Sequence, residues 1–334
     1  MMKETRKIVI QEIGKSFREC TAIVSETLGP PGPDEVLIRN HFAGVNGVYD
    51  QMMCLDRVEH TKVIPPADTG VEAVGVIETR GADVAEFAPG DTVATMNVGT
   101  AYRDWQVCKS ADVISIPAAT PEVLALIPSG VSALVALEQV AGMTTGETVC
   151  VTAACGGLGN VLSQLAVNAG NHVIGVCGSD EKAAWLESIG VARVIQYRRE
   201  DAAAILAGEY CDKLDLVMDS VGGPLFDALV ENLAPLGRLV VCGYTSDRVP
   251  TEKVRQERIY SKLYWKAASI RGYMNYRFAA HAADARERLL AMLAAGEIKP
   301  LVDGRQFVGL EAIGDAVEHL LNGENIGKVV VDLR

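Results

Sequence analysis

Hydrophobic and polar positions change their rhythm along this chain. From Ile8 to about Pro117, short alternating runs such as Val36-Leu37-Ile38-Arg39, Val74-Gly75-Val76-Ile77 and Thr92-Val93-Ala94 are punctuated by Pro30-Pro31-Gly32-Pro33 and Pro89-Gly90-Asp91. Short strands between turn clusters predict an irregular β-rich region. From about Thr148, apolar runs alternate with stretches of helical spacing. Val149-Cys150-Val151 predicts a strand, and Leu158, Val161, Leu162, Leu165 and Ala166, at offsets 3, 4, 7 and 8, predict one face of a helix. His172 to Cys177 predicts a second strand, and Ser179 caps a second helix through Trp185 to Ile189, closed by Gly190. Val194-Ile195, Leu216-Val217-Met218 and Leu239-Val240-Val241 add three strands. Apolar strands alternating with helices imply a parallel sheet covered on both faces. A helix near Ala283 to Ala295, another near Glu311 to Leu321 and a strand at Val329-Val330-Val331 complete the pattern.

Composition adds limits. A length of 334 residues implies two domains at ~150 residues each. Hydrophobic residues at 49% and charged residues at 22% fit a soluble globular protein. The net charge of -12 would repel a phosphate backbone, which argues against nucleic acid as a partner. No apolar run reaches the ~20 residues of a bilayer span, and Met1-Met2-Lys3-Glu4-Thr5-Arg6-Lys7 leads straight into Ile8-Val9-Ile10. The expectation is therefore a cytoplasmic protein with no membrane partner. Eight scattered cysteines without CxxC spacing read as reduced, packed thiols.

The chemistry begins at Ala153-Ala154-Cys155-Gly156-Gly157-Leu158-Gly159, between the first strand and the first helix. A dinucleotide site needs a tight turn, a bare backbone against the pyrophosphate and a small residue where helix meets strand. Ala154, Gly156 and Gly159 fill these roles, with Gly157 and Leu158 between them. The phosphates would face the free N–H groups of that helix. NAD sites place an acid at the end of the second strand. Here the end reads Val176-Cys177-Gly178-Ser179, and no carboxylate appears before Asp180. A 2′-phosphate would meet no repulsion, and Ser179, Lys182 and Tyr197 are placed to hold it. NADPH is the expected cofactor. Ser220 and the loop Cys242-Gly243-Tyr244-Thr245 follow later strands of the sheet, at the end where such folds bind ligands.

Gly44-Val45-Asn46, Gly70-Val71-Glu72-Ala73-Val74-Gly75, Pro89-Gly90-Asp91-Thr92-Val93, the glycine turn, Asp219-Ser220-Val221-Gly222-Gly223, Leu236-Gly237-Arg238 and Gly327-Lys328-Val329 resemble the medium-chain dehydrogenase/reductase superfamily. Within it the chain resembles the zinc-free, quinone oxidoreductase-like members, and most nearly the prostaglandin reductase 3 type. Phe307 to Ile313 and Gly323 to Lys328 carry much of that closer likeness. The resemblance implies an α/β chain: a GroES-like β-rich catalytic domain over 1–127 and 274–334, interrupted by a Rossmann doubly wound parallel sheet over 128–273. It also implies a homodimer through an edge strand at Ala268-Ser269-Ile270-Arg271-Gly272. Tyr273, Met274 and Asn275 resemble the segment that contacts the nicotinamide carboxamide, and Asn325 resembles a late asparagine near the same ring.

Zinc-dependent members carry thiolate and imidazole ligands where this chain has Asn46, Val71 and Ser129. The expectation is a metal-free protein. Without a Lewis acid to ionise an alcohol, a double bond conjugated to a carbonyl is the simpler hydride acceptor. The resemblance sets Asn46 beside the nicotinamide, able to orient substrate or ribose. Tyr49 follows, where related enzymes carry an Asp, and a tyrosine there is able to donate the proton or hydrogen-bond the enolate. The expected substrate is a small hydrophobic conjugated carbonyl, an enone or enal of 15-oxoprostaglandin-like form, reduced with NADPH. Two alternatives stay open: an NADPH:quinone oxidoreductase, and an NADPH-binding structural or regulatory protein with little turnover.

Overall fold

The computed structural model describes residues 2–59, 61–247 and 258–334. They form two units, Met1–Pro128 with Val302–Arg334, and Ser129–Leu301.

In the first unit, the alternating runs become antiparallel strands. The strand Glu35–Gly44 is its backbone: it pairs with Glu72–Arg80 on one side and with Trp105–Lys109 and Val330–Asp332 on the other. Glu72–Arg80 continues through Thr92–Thr95 to Val113–Ser115. A separate hairpin, Lys3–Ile10 with Thr21–Leu28, is joined by the short helix Phe17–Cys20. Ser16 and Glu19 close that helix with a reciprocal capping box. One apolar cluster, including Ile10, Phe17, Val45, Tyr102, Ile313, Val317 and Val331, fills the space between strands and helices. Gly70 is required by its surroundings. Its φ is +83°, and a Cβ there would stand 2.5 Å from the Tyr102 ring.

In the second unit, the strands lie in the order Arg193–Gln196, His172–Cys177, Thr148–Val151, Leu214–Asp219, Leu233–Val241, Ser269–Gly272, and every pairing is parallel. In chain order this is 3-2-1-4-5-6, the order of dinucleotide-binding sheets. The segment expected at the edge is the edge strand Ser269–Gly272. The helix Gly159–Asn168 is buried from Gly159 to Ala166, more completely than a one-faced pattern predicts.

Two expectations differ from what is found. The second crossing between units falls at Leu301 and Val302, not at 273 and 274. Helix Ala282–Ala295 packs on Val131–Val135, and Arg288 reaches Glu138 at 2.6 Å. Gln164 adds a two-way bond to the Lys299 backbone, at 3.0 and 2.8 Å. Those contacts hold the segment after the edge strand to the second unit. The other difference is a helical run, Pro121–Ala141, that by length and composition is able to span a bilayer. Most of it is buried inside the protein, so it is a core helix, with π-helical turns at Leu126–Gly130 and Ala136–Ala141.

Candidate active site

The cofactor-side residues expected from sequence gather at the carboxyl ends of the parallel strands. Ala153 opens the turn in the left-handed region, φ +47°, and accepts from Gly156 N–H at 2.8 Å. Buried Ala154 donates its N–H to Val176 at 3.1 Å, tying the turn to the second strand. Asn160 Nδ2 donates to the carbonyls of Gly156 and Gly157, both at 2.9 Å. Gly159 has no room for a side chain, because a Cβ would run into the Ala153 carbonyl. The helix that follows has Leu158 at its N-cap and no side-chain cap. Asn160 N–H already donates to Gly156 O at 3.0 Å, and no side chain caps the turn before it, the end at which a pyrophosphate binds in such folds.

Ser179 caps helix Asp180–Ser188 by accepting from Lys182 N–H at 3.3 Å. The Cys155 thiol donates to the Lys182 carbonyl at 3.2 Å, so the phosphate turn and this helix touch. Burial pushes that thiol up to about 12, which keeps it protonated. Tyr197, 54% exposed, stands over Gly178, where a Cβ would lie 2.7 Å from its hydroxyl. Sequence reading passed over the state of Asp180, the nearest carboxylate. Its oxygens accept from Gln196 Nε2 at 2.7 Å and Arg199 at 2.5 Å, so its charge is matched.

At the fourth strand, Asp219 is fully buried and accepts from Thr152 Oγ1 (2.7 Å), Val221 N–H (3.0 Å) and Gly222 N–H (3.1 Å). It shapes the loop that presents Ser220. Ser220 Oγ is buried without a hydrogen-bond partner among the described residues. An orphaned hydroxyl at the ligand-binding end of the sheet fits an absent polar group. The loop beyond strand five folds back on it: Cys242 and Gly243 N–H reach Asp219 O, and Thr245 N–H reaches Ser220 O at 3.3 Å. Tyr244 is 48% exposed beside them. Tyr273 donates its N–H to Val241 and stacks on Phe278 at 5.6 Å. Met274 and Asn275 are exposed, and Asn275 Oδ1 accepts from Tyr276 N–H at 2.7 Å.

The remaining candidates lie in the first unit, apart from Ser129, which opens the second. Asn46 is half-buried at the N-cap of helix Gly47–Cys54, yet makes no side-chain cap. Its Oδ1 instead accepts from Lys328 Nζ at 3.0 Å. Lys328 is 3% exposed, also donates to Val45 O at 3.0 Å, and forms an ion pair with the fully buried Glu72. Asn46 N–H donates to Asp50 Oδ2 at 3.2 Å, and the Tyr102 hydroxyl donates to the same oxygen at 2.7 Å. Burial pushes the Asp50 carboxyl up to about 6, against the pull of Tyr102 and Lys328. Tyr49 is half-buried against the apolar cluster, and burial raises its hydroxyl. Asn325 spends its Nδ2 on Gly327 O at 2.8 Å, within its own turn. Val71 and Ser129 are brought to no ligand cluster: among the described residues no group of three or more His, Cys, Asp and Glu is able to hold a metal. His60 lies outside the described residues.

Lys328, Glu72, Asp50 and Tyr102 were not singled out from sequence. A lysine set against Val329-Val330-Val331 is the signal that was there, since a buried ammonium demands a partner.

A parallel sheet of this order joined to an antiparallel unit of this kind defines a two-domain dehydrogenase, and family models agree. "Alcohol dehydrogenase GroES-like domain" matches residues 32–133, and "Zinc-binding dehydrogenase" matches 157–295. The chain belongs to the medium-chain dehydrogenase/reductase superfamily of oxidoreductases. It is 37% identical to prostaglandin reductase-3 of Mus musculus, over 98% of this chain and 89% of that protein. It is 34% identical to a probable quinone oxidoreductase of Leishmania amazonensis, over 98% of each. The structure of CurA from Vibrio vulnificus, in complex with NADPH, shares the fold with a TM-score of 0.86, at 24% identity over 98% of this chain and 99% of that one.

Proposed function

We propose that this chain is an NADPH-dependent reductase of α,β-unsaturated ketones and aldehydes that works without a metal. The observation that carries the reading is the Lys328 ammonium bonded to Asn46 Oδ1. By resemblance Asn46 stands where metal-dependent relatives carry a zinc ligand, and here its amide oxygen is already engaged by an ammonium rather than offered to a metal. Chemistry without a Lewis acid suits a carbonyl whose conjugated double bond is already electrophilic. Bound NADPH supplies the hydride. The uncapped helix at Gly159 and the orphaned Ser220 hydroxyl would bind the cofactor's polar groups. Asn46 would hydrogen-bond the carbonyl oxygen. Tyr49, kept protonated by its raised pKa, would return a proton at the α-carbon. A second reading, quinone reduction, is favoured by likeness to the probable quinone oxidoreductase.

The test is NADPH oxidation against enones, enals and quinones, with products identified. A saturated ketone or aldehyde is expected. A hydroquinone with inert enones would select the second reading, and tight NADPH binding with no oxidation would leave a binding protein without turnover.

The same reading requires a preference for the phosphorylated cofactor. Lys182→Ala is expected to weaken NADPH about 10- to 100-fold, the worth of a charge-assisted hydrogen bond. NADH should change by less than about twofold, because Asp180 is already matched by Gln196 and Arg199. Titration of both cofactors by fluorescence checks this, and equal weakening would remove Lys182 from the phosphate site.

A further inference from the structure

An asparagine at a helix N-cap normally turns its side-chain oxygen to the N–H of the second or third residue. Asn46 gives this up. Its oxygen goes to a lysine 282 positions away in the chain, at 3.0 Å. An ammonium has protons to donate and no acceptor, so only the amide oxygen is able to face it. The usual ambiguity between the oxygen and nitrogen of an asparagine amide is thereby resolved by chemistry.

Lys328 is itself buried and fully engaged. It is 3% exposed, and it is held by Val45 O, the Glu72 carboxylate and Asn46. Glu72 in turn lies against Gly44, whose missing side chain makes the space for it. From the other side, Asp50 accepts the Asn46 N–H and is held by Tyr102. Backbone and side chain of Asn46 are therefore fixed by separate buried groups.

We propose that Lys328 is the positioning residue of the site: by engaging Asn46 Oδ1 it turns Nδ2 outward as a hydrogen-bond donor for the carbonyl oxygen of the substrate. The inference rests on the reading of Asn46 as a substrate contact, and it adds which end of the amide works and what sets it. A fixed donor costs no reorganisation when negative charge gathers on that oxygen as hydride arrives.

Asn46→Asp keeps the oxygen that faces Lys328 and replaces the donor by a second acceptor. With the conjugated carbonyl that the wild type reduces best, kcat/KM is expected to fall about 100-fold, as far as in Asn46→Ala. The NADPH Kd should stay within about twofold in both. An Asn46→Asp enzyme within a few-fold of wild type overturns the assigned orientation. The role of Lys328 is read from a cycle. Lys328→Met with Glu72→Gln removes the buried pair together, and should lower kcat at least about tenfold with the NADPH Kd unchanged. Placed on Asn46→Ala, the same pair should cost nothing more. An equal further loss on that background would show that Lys328 acts by another route and overturn the proposal. If the paired variant does not fold, Asn46→Asp still decides the orientation. A wild type that reduces no conjugated carbonyl defeats the functional reading itself; a wild type that does, beside an active Asn46→Asp, defeats only the inference.

Discussion

Lys328→Met alone lowers the stability of the first unit by about 3–5 kcal/mol, and adding Glu72→Gln returns most of it. The loss comes from what is left behind. Glu72 has no exposed surface, and its Oε2 has no hydrogen-bond partner among the described residues. With Lys328 gone, a carboxylate stays in a low-dielectric interior without its counter-charge. Its remaining recourse is to take up a proton, which itself costs free energy at neutral pH. Neutralising both groups removes the charge problem, so the double variant keeps the fold at the price of one buried amide. Glu72→Gln alone is milder than Lys328→Met, since the ammonium keeps Val45 O and Asn46 Oδ1 as acceptors. Thermal unfolding of the full chain checks the order. Lys328→Met should melt lowest, by roughly 10 °C. Equal melting of Lys328→Met and the double variant would show that the pair is not an energetic unit.

How much of this was legible in the sequence follows from how far each signal reaches along the chain. The glycine turn, Ser179 as a cap and Gly190 as a stop each act within a few residues of themselves, and the strand–turn–helix–strand segment from Thr148 to Cys177 was read nearly to the residue. The sixth strand at Ser269–Gly272 was readable by resemblance. What could not be read was pairing at a distance. Asn46 and Tyr49 were chosen for their place after Gly44-Val45, but nothing local shows that Lys328 reaches one, or that the apolar cluster half-covers the other. Nothing local marks Asp50, the next residue, as buried; the Tyr102 hydroxyl bonded to it comes from 52 positions away. Likewise Asp180 reads as a bare acid until Arg199 is seen beside it. The return to the first unit was placed too early because helix Ala282–Ala295 is claimed by a helix it does not neighbour in sequence.

Asp50→Asn stabilises the protein at pH 7 by about 3 kcal/mol and leaves it nearly unchanged at pH 4. Burial lifts the Asp50 carboxyl from its ordinary 3.8 to about 6 in the folded chain. The native state therefore binds this proton more tightly than the unfolded state does. Its contribution is fully present below about pH 4 and is lost as pH rises through about 6, the opposite of a salt-bridged carboxylate. Asparagine is a mimic of the protonated form: its oxygen is able to accept from both Tyr102 Oη and Asn46 N–H, as Asp50 Oδ2 does. The variant should hence lack this segment of the pH profile. Urea unfolding of wild type and Asp50→Asn from pH 4 to pH 7 isolates the effect, because ionisable groups away from Asp50 contribute equally to both. Curves that diverge from about pH 4 upward, with the variant the more stable, are expected. Parallel curves would mean that Asp50 is ionised throughout and that Lys328, with Tyr102, outweighs its burial. The divergence would put an energetic cost on holding Asn46 with a carboxylate where a neutral amide would serve the fold better, which is the pattern of a residue kept for a site rather than for stability.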